Sequence, residues 1–205
     1  MNLSPGCRRS AFILLAAFFS ACVTLERSYP DKRYFMIEVQ DGKNSSNPGT
    51  QVLSVPNFYI SPRYADRNFI YRMSETEYEA DFYNQFLSPP ATMISEEVRQ
   101  TLAATSPFKF VLGPASTLSA NYVLEGSINV LYGDFRSPAA PAAVMEIEFF
   151  LHNENPAEAG IVLQKRYEKS VPLKERSPEA LVRGWNRALE EIVALFVADV
   201  RQRKL

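Results

Sequence analysis

Thiol and imidazole chemistry have almost no material in this chain. Of its 205 residues two are cysteine, Cys7 and Cys22, and one is histidine, His152. A zinc site usually draws on three or four His, Cys or carboxylate ligands. A catalytic histidine needs a nucleophile and an orienting partner. Neither set can be drawn around His152, which closes a strand-like run beside Asn153 and reads as a surface residue. Serines are many, yet none sits in G-x-S-x-G. No G-x-x-x-x-G-K-S/T or G-x-G-x-x-G occurs, so nucleotide binding has no support and no cofactor is implied. A basic excess is missing too, with a formal net charge of −1. Nucleic-acid binding relies on clustered Lys and Arg, so that class is set aside. No apolar run approaches the roughly 20 residues that a membrane-spanning helix needs.

What is present begins at the N-terminus. Arg8 and Arg9 precede the apolar run Ala11 to Phe19, which leads into Ser20-Ala21-Cys22. A positive start, a short apolar core and small residues before a cut make a secretory signal. The cysteine just after the small pair makes the segment resemble a bacterial lipoprotein signal, with Phe19 where leucine is usual. An ordinary signal cut elsewhere and an uncleaved N-terminal helix are the alternatives. In the lipoprotein reading residues 1–21 are the signal peptide. Residues 22–33 are the lipidated N-terminus and tether, with acyl chains such as palmitate on Cys22, and residues 34–205 are one domain. Cys7 leaves with the signal and Cys22 carries lipid, so the mature domain has no disulfide and no free thiol. Its stability must come from its core. Val23 follows the cysteine. In enterobacterial lipoproteins an aspartate there favours the inner membrane, so its absence points to the outer membrane.

With 14 Phe and 10 Tyr against 8 Gly, the chain favours strands with well-filled faces. Residues 34–39 (YFMIEV) read as a first strand, and 41–50 as a loop dense in Gly, Asn, Ser and Pro. Residues 51–60 are strand-like, but Pro56 cannot donate a ladder bond and belongs on an edge or at a bulge. Residues 61–68 are a turn. Residues 69–73 and 78–83 make a hairpin pattern. Ser88-Pro89-Pro90 opens a helix to about Ala104, with Ile94, Val98 and Leu102 on one stripe. Residues 109–112 are a short strand. Residues 121–135 are the clearest strand, with Tyr122, Leu124, Ile128, Val130 and Tyr132 expected on one face and a bulge expected at Gly126. Residues 144–152 place Met145, Ile147, Phe149 and Leu151 inward. Residues 161–171 do the same with Ile161, Leu163, Tyr167 and Val171. Together these three runs form an antiparallel meander. Ser177-Pro178-Glu179 starts a last helix to about Arg203, with Leu181, Trp185, Ala188, Leu189, Ile192, Phe196 and Val200 as its buried stripe. The expected fold class is α+β: a mostly antiparallel sheet with two helices packed on one face, in a single domain.

Two features invite a functional reading. Glu146 and Glu148 share a strand face, and paired carboxylates do acid–base chemistry when burial separates their pKa values. The apolar set lies on the opposite face, so this pair reads as solvated and the chain as a non-enzyme. The aromatic run Phe58-Tyr59 with Tyr64, and Phe69-Ile70-Tyr71 beyond it, is either core or an exposed patch for a partner or a lipid.

The stretch from Ile60 to Leu102 carries a longer pattern. Pro62, Tyr64 and Asp66-Arg67 are followed by Phe69-Ile70-Tyr71-Arg72, then Tyr78, Asp81-Phe82-Tyr83 and Phe86, then Pro89-Pro90 and a helix. This resembles the ABC-type transport auxiliary lipoproteins, the lipoprotein partners of lipid-handling ABC systems that contain an MCE-domain protein. Phe86 stands where a tryptophan is common. The resemblance implies a non-catalytic lipoprotein facing the periplasm, anchored at Cys22, that helps move lipids, chiefly phospholipids, between or across envelope membranes. Its implied partners are the membrane, an MCE-domain protein and, through it, an ABC permease and ATPase. Assembly with further copies of the chain stays open. Phe58, Tyr59, Tyr64, Asp66 and Arg67 are the candidate partner or lipid contacts. The rival reading is an envelope-assembly or adaptor lipoprotein of similar fold with no ABC transporter.

Overall fold

The computed structural model describes residues 31–39, 49–155, 157 and 160–203. The signal segment, Cys22, most of the tether and most of the loop at 41–50 lie outside the described residues. Strands β1 (Arg33–Phe35), β2 (Val52–Ser54), β3 (Tyr59–Ile60), β4 (Asn68–Arg72) and β5 (Tyr78–Phe86) precede helix α1 (Pro90–Thr105). Then come β6 (Phe110–Leu112), β7 (Tyr122–Asp134), β8 (Ala142–Asn153), β9 (Gly160–Pro172) and helix α2 (Pro178–Gln202). The class is α+β, as the alternation pattern and the two amphipathic runs predict. No described helix is long and apolar enough to cross a membrane.

All nine strands join one sheet, and β7 is its spine. Along one edge β7 pairs antiparallel with β8, which pairs antiparallel with β9. The other edge of β7 takes three short parallel partners in succession. Leu53 of β2 meets Tyr122, Tyr59 of β3 meets Ser127, and Tyr71 of β4 meets Gly133. The chain from residue 52 to 72 thus runs the length of β7, interrupted at Pro56, which lies in neither β2 nor β3. Beyond it, β4 pairs antiparallel with β5, and β1 parallel with β5. β6 is added parallel to β2. The antiparallel ladders hold most of the pairings. The parallel ones were not expected from the sequence.

Three side-chain placements also differ from the sequence expectation. The bulge in β7 falls between Ile128 and Val130, not at Gly126. One extra residue flips the alternation beyond it. Leu131 therefore points into the core, 2% exposed, while Tyr132 turns to the opposite face against Tyr64. A second shift between Leu151 and His152 does the same on β9 and leaves Ile161 65% exposed. Gly126 has another role: the ring of Phe58 lies where its side chain would be.

Both helices cover one face. Ser177 accepts a hydrogen bond from the Ala180 N–H at 3.1 Å, and Pro178 occupies the first turn, where its missing N–H costs nothing. Leu181, Trp185, Ala188, Leu189, Ile192 and Phe196 of α2 are fully buried. Each large apolar side chain so buried contributes about 1.5–3 kcal/mol. Trp185 is the hub: Phe69 stands edge-on to it at 5.1 Å and Phe86 lies 5.3 Å away. On β9, Lys165 and Lys169 lie on the inward side. Their stems cover apolar surface, and their ammonium groups reach Asp199 and Glu191 of α2 at 2.7 and 3.2 Å. In α1, Ile94, Val98 and Leu102 form the buried stripe, as spaced in the sequence.

Candidate functional site

The segment with the densest pattern, Pro62 to Pro90, folds into one local structure. A 3₁₀ turn at Pro62–Tyr64 drops the Tyr64 ring onto Tyr132 and leaves it 3% exposed. Burial then pushes the Tyr64 phenol above its usual pKa, outweighing the bond with Arg63. Phe58 is buried too, packed edge-on against Phe149 at 5.7 Å. Its backbone N–H donates to the buried Ser95 hydroxyl at 2.8 Å, and that hydroxyl donates to the Ala91 carbonyl. Of the five candidate contacts, then, Phe58 is buried beneath the helices and Tyr64 is buried against Tyr132 on the opposite face, while Tyr59, Asp66 and Arg67 are exposed. β3 holds Tyr59 in solvent at one place. The turn into β4 holds Asp66 and Arg67 at another.

Asp81 organises the hairpin next to them. One carboxylate oxygen accepts the backbone N–H groups of Tyr83 and Asn84, and the other accepts the Tyr71 hydroxyl and the Asn84 side-chain amide. Burial alone would raise this carboxyl's pKa. The hydrogen bonds from Tyr71, Asn84 and Tyr83 outweigh it and hold the pKa below the usual value. Burial and the Asp81 contact push the Tyr71 phenol well above its ordinary range. The Asn68 amide also donates to the Asp81 carbonyl. This knot sits where the β4–β5 register shifts between Asn68 and Ile70, and the residue after it, Phe82, is 60% exposed.

The surface beside the knot is an open groove of about 600 Å³ lined by Lys32, Asp66, Arg67, Gln85, Leu87 and Pro89, among others. The Arg67 guanidinium donates to the Leu87 carbonyl at 3.2 Å, and the Arg67 carbonyl accepts the Phe86 N–H at 2.7 Å. The same guanidinium lies 6.0 Å from the Tyr34 ring, and the Lys32 ammonium lies 4.2 Å from the Phe82 ring. Cations over aromatic faces are attracted by the ring quadrupole. The sequence reading missed Lys32, Tyr34, Phe82 and Leu87 as part of this surface. The parallel pairing that brings Tyr34 opposite Gln85 left no local signal.

The remaining candidates resolve into structural pairs. Glu146 accepts from the Asn129 amide and meets Arg166 at 3.4 Å; Glu148 meets the same arginine at 3.5 Å and accepts from Gln164. They form a cross-strand ion cluster on the outward face of the sheet. His152 faces Glu154 at 3.0 Å and Glu125 at 3.8 Å. Among the described residues no three His, Cys, Asp or Glu gather as a metal site. A second, polar groove of about 830 Å³ is lined by residues 36–39 and both helices; the Val39 N–H donates to Glu97 and the Glu38 N–H to Asn186, and the groove's Arg187 is paired with Glu190 and Glu191. Phe86, where the resemblance leads one to expect tryptophan, is 2% exposed and packs against Phe69 and Trp185, whose rings already fill that space.

Comparison with known proteins adds to this geometry. A protein of Xanthomonas campestris assigned to the DUF330 family superposes with a TM-score of 0.69 at 15% identity, over 80% of this chain and 92% of that one. An uncharacterized protein superposes at 0.68 and 13% identity, over 83% of this chain and 99% of that one. A hypothetical protein of Chlamydia trachomatis follows at 0.50 and 12% identity, covering 72% and 96%. At such identities these likenesses establish the fold alone. No curated protein matches. The sequence pattern of the ABC-type transport auxiliary lipoprotein component matches residues 35–195, from the end of β1 into α2, and takes in the groove residues from Ala65 to Pro89. With that coverage, the chain belongs to the family of ABC-type transport auxiliary lipoprotein components.

Proposed function

We propose that this protein is a non-catalytic lipoprotein subunit of an MCE-type ABC transport system that moves phospholipids between or across envelope membranes. The family assignment already makes it an auxiliary component of an ABC-type system. The observation that supports the finer reading is the Pro62–Pro90 segment. Its pattern residues build a rigid surface, the Asp81 knot and the Arg67 bonds, rather than a catalytic centre. A surface so preorganised suits recognition of a partner or a lipid. In this reading Cys22 carries the lipid, the domain faces the periplasm from the outer membrane, and Tyr59, Asp66 and Arg67 face the partner or lipid. ATP hydrolysis belongs to another subunit.

The test is purification of the tagged, full-length protein in mild detergent from its own cells. The MCE-domain protein should come with it. An intact MCE complex that leaves this protein behind overturns the reading. An outer-membrane protein recovered instead supports the rival, an assembly or adaptor lipoprotein.

A further inference from the structure

We propose that Lys32, Tyr34, Arg67, Phe82 and Leu87 form a docking face for a phospholipid bilayer surface, and that this face lays the domain against the membrane that holds its anchor. The inference rests on the reading of Cys22 as lipidated and goes beyond it. An anchor alone would leave the domain free to tumble, whereas this face gives it one orientation.

Three observations carry it. Tyr34, Phe82 and Leu87 are 50%, 60% and 51% exposed, and they are linked into one surface by two cations rather than scattered. Lys32 covers the Phe82 ring, Arg67 approaches the Tyr34 ring, and Lys32, Arg67 and Leu87 line the same groove. Aromatic rings with a polar rim settle at the headgroup level of a bilayer, and flexible cations reach its phosphates. Asp66 at the groove is the acid that stands among them. It offers a partner to a headgroup amine, so a mixed phospholipid surface suits the face better than a purely anionic one.

The third observation selects a bilayer over a protein. The compact domain begins at Lys32, which lines this groove and follows Cys22 by ten residues in sequence. Fully extended, the stretch from Cys22 to Lys32 reaches at most about 35 Å. A lipidated Cys22 therefore holds the start of this face within about 35 Å of the bilayer. Tethering makes the second contact intramolecular, so even a weak headgroup surface is occupied much of the time.

The test uses the full lipoprotein, reconstituted into vesicles of mixed phosphatidylethanolamine and phosphatidylglycerol. A spin label is placed at Phe82→Cys, at Leu87→Cys or at the control Ile161→Cys, which is equally exposed but on β9. Collision with oxygen, which favours lipid, is compared with collision with a water-soluble nickel chelate. The oxygen-to-nickel ratio should be several-fold higher at 82 and 87 than at 161. Lys32→Ala with Arg67→Ala should bring it back toward the control. Equal ratios at all three positions, or a ratio indifferent to the double substitution, overturn the docking face. Flotation separates the two readings: protein that floats while 82 and 87 stay in water refutes the face and leaves the anchor standing. Protein that does not float refutes both.

Discussion

The ring of Phe58 fills the space of a missing side chain: its nearest carbon is 2.6 Å from where a Cβ on Gly126 would stand. The two residues meet because β3 and β7 run parallel side by side, with Tyr59 opposite Ser127. Gly126→Ala must displace a packed ring that also touches Phe149. It should cost about 1–3 kcal/mol of stability, read by urea unfolding. Phe58→Leu in the same chain should recover part of that loss, because the two changes share one space. Simple additivity of the two would refute the account.

Ser95 holds the same region from the helix side. Its hydroxyl accepts from the Phe58 N–H and donates to Ala91, and the side chain is fully buried. Ser95→Ala leaves a buried N–H with no partner, at a cost of about 1–3 kcal/mol. Ser95→Thr keeps the acceptor and should lose less. A midpoint for Ser95→Ala equal to that of the native chain would show that the bond contributes nothing.

Asp81 makes stability depend on acid. Its folded pKa lies below the unfolded value, so the stabilisation is complete above the unfolded pKa and fades as pH falls through the folded one. Asp199, held by Lys165 and Tyr167, and Asp134, held by Arg136, act in the same direction. The native protein should lose stability steeply below about pH 4, where a free carboxylate takes up its proton. In Asp81→Asn the gap to the native chain should be wide at pH 6 and narrow in that acid range. A gap of constant size across the range would mean that Asp81 acts through packing alone.

The lipoprotein reading makes Cys22 the residue that holds the protein at the membrane. Cys22→Ala should move it from the membrane fraction to the soluble fraction and raise its gel mobility difference from the lipidated form to a visible shift. A variant that sediments with membranes at unchanged size would end the lipid-anchor reading.

Much of the fold was legible because helices announce themselves. Ile94, Val98 and Leu102, and Leu181, Trp185, Ala188 and Leu189, sit at the spacing that their buried stripes require. The three meander strands were legible for the same reason with a period of two. The bulge at Asn129 was not, because it takes one residue to reverse a face and nothing in Ile128-Asn129-Val130 marks the place. The parallel pairings were hidden for another reason. β1 and β3 are only three and two residues long, and their partners are set by distant chain rather than by local pattern. For the site, the motif residues were visible and their burial was not. Phe58 and Tyr64 look like the exposed Tyr59 in sequence. What separates them is a 3₁₀ turn and a glycine on a strand far along the chain.

The end-to-end placement of β2, β3 and β4 along β7 bears on how the chain folds in time. β7, β8, β9 and α2 are neighbours in sequence and close on one another with short loops. Residues 52 to 72 are made earlier, yet the edge they need belongs to residues 122 to 134. Contacts between segments so far apart form slowly, because the loop must close before any pairing rewards it. Within the first half β4 can pair with β5 locally, but β2, β3 and the far edge of β4 must wait for β7. The groove beside Arg67 rests on that local β4–β5 pair, so the surface can take shape before the strand that will hold the rest of its half exists.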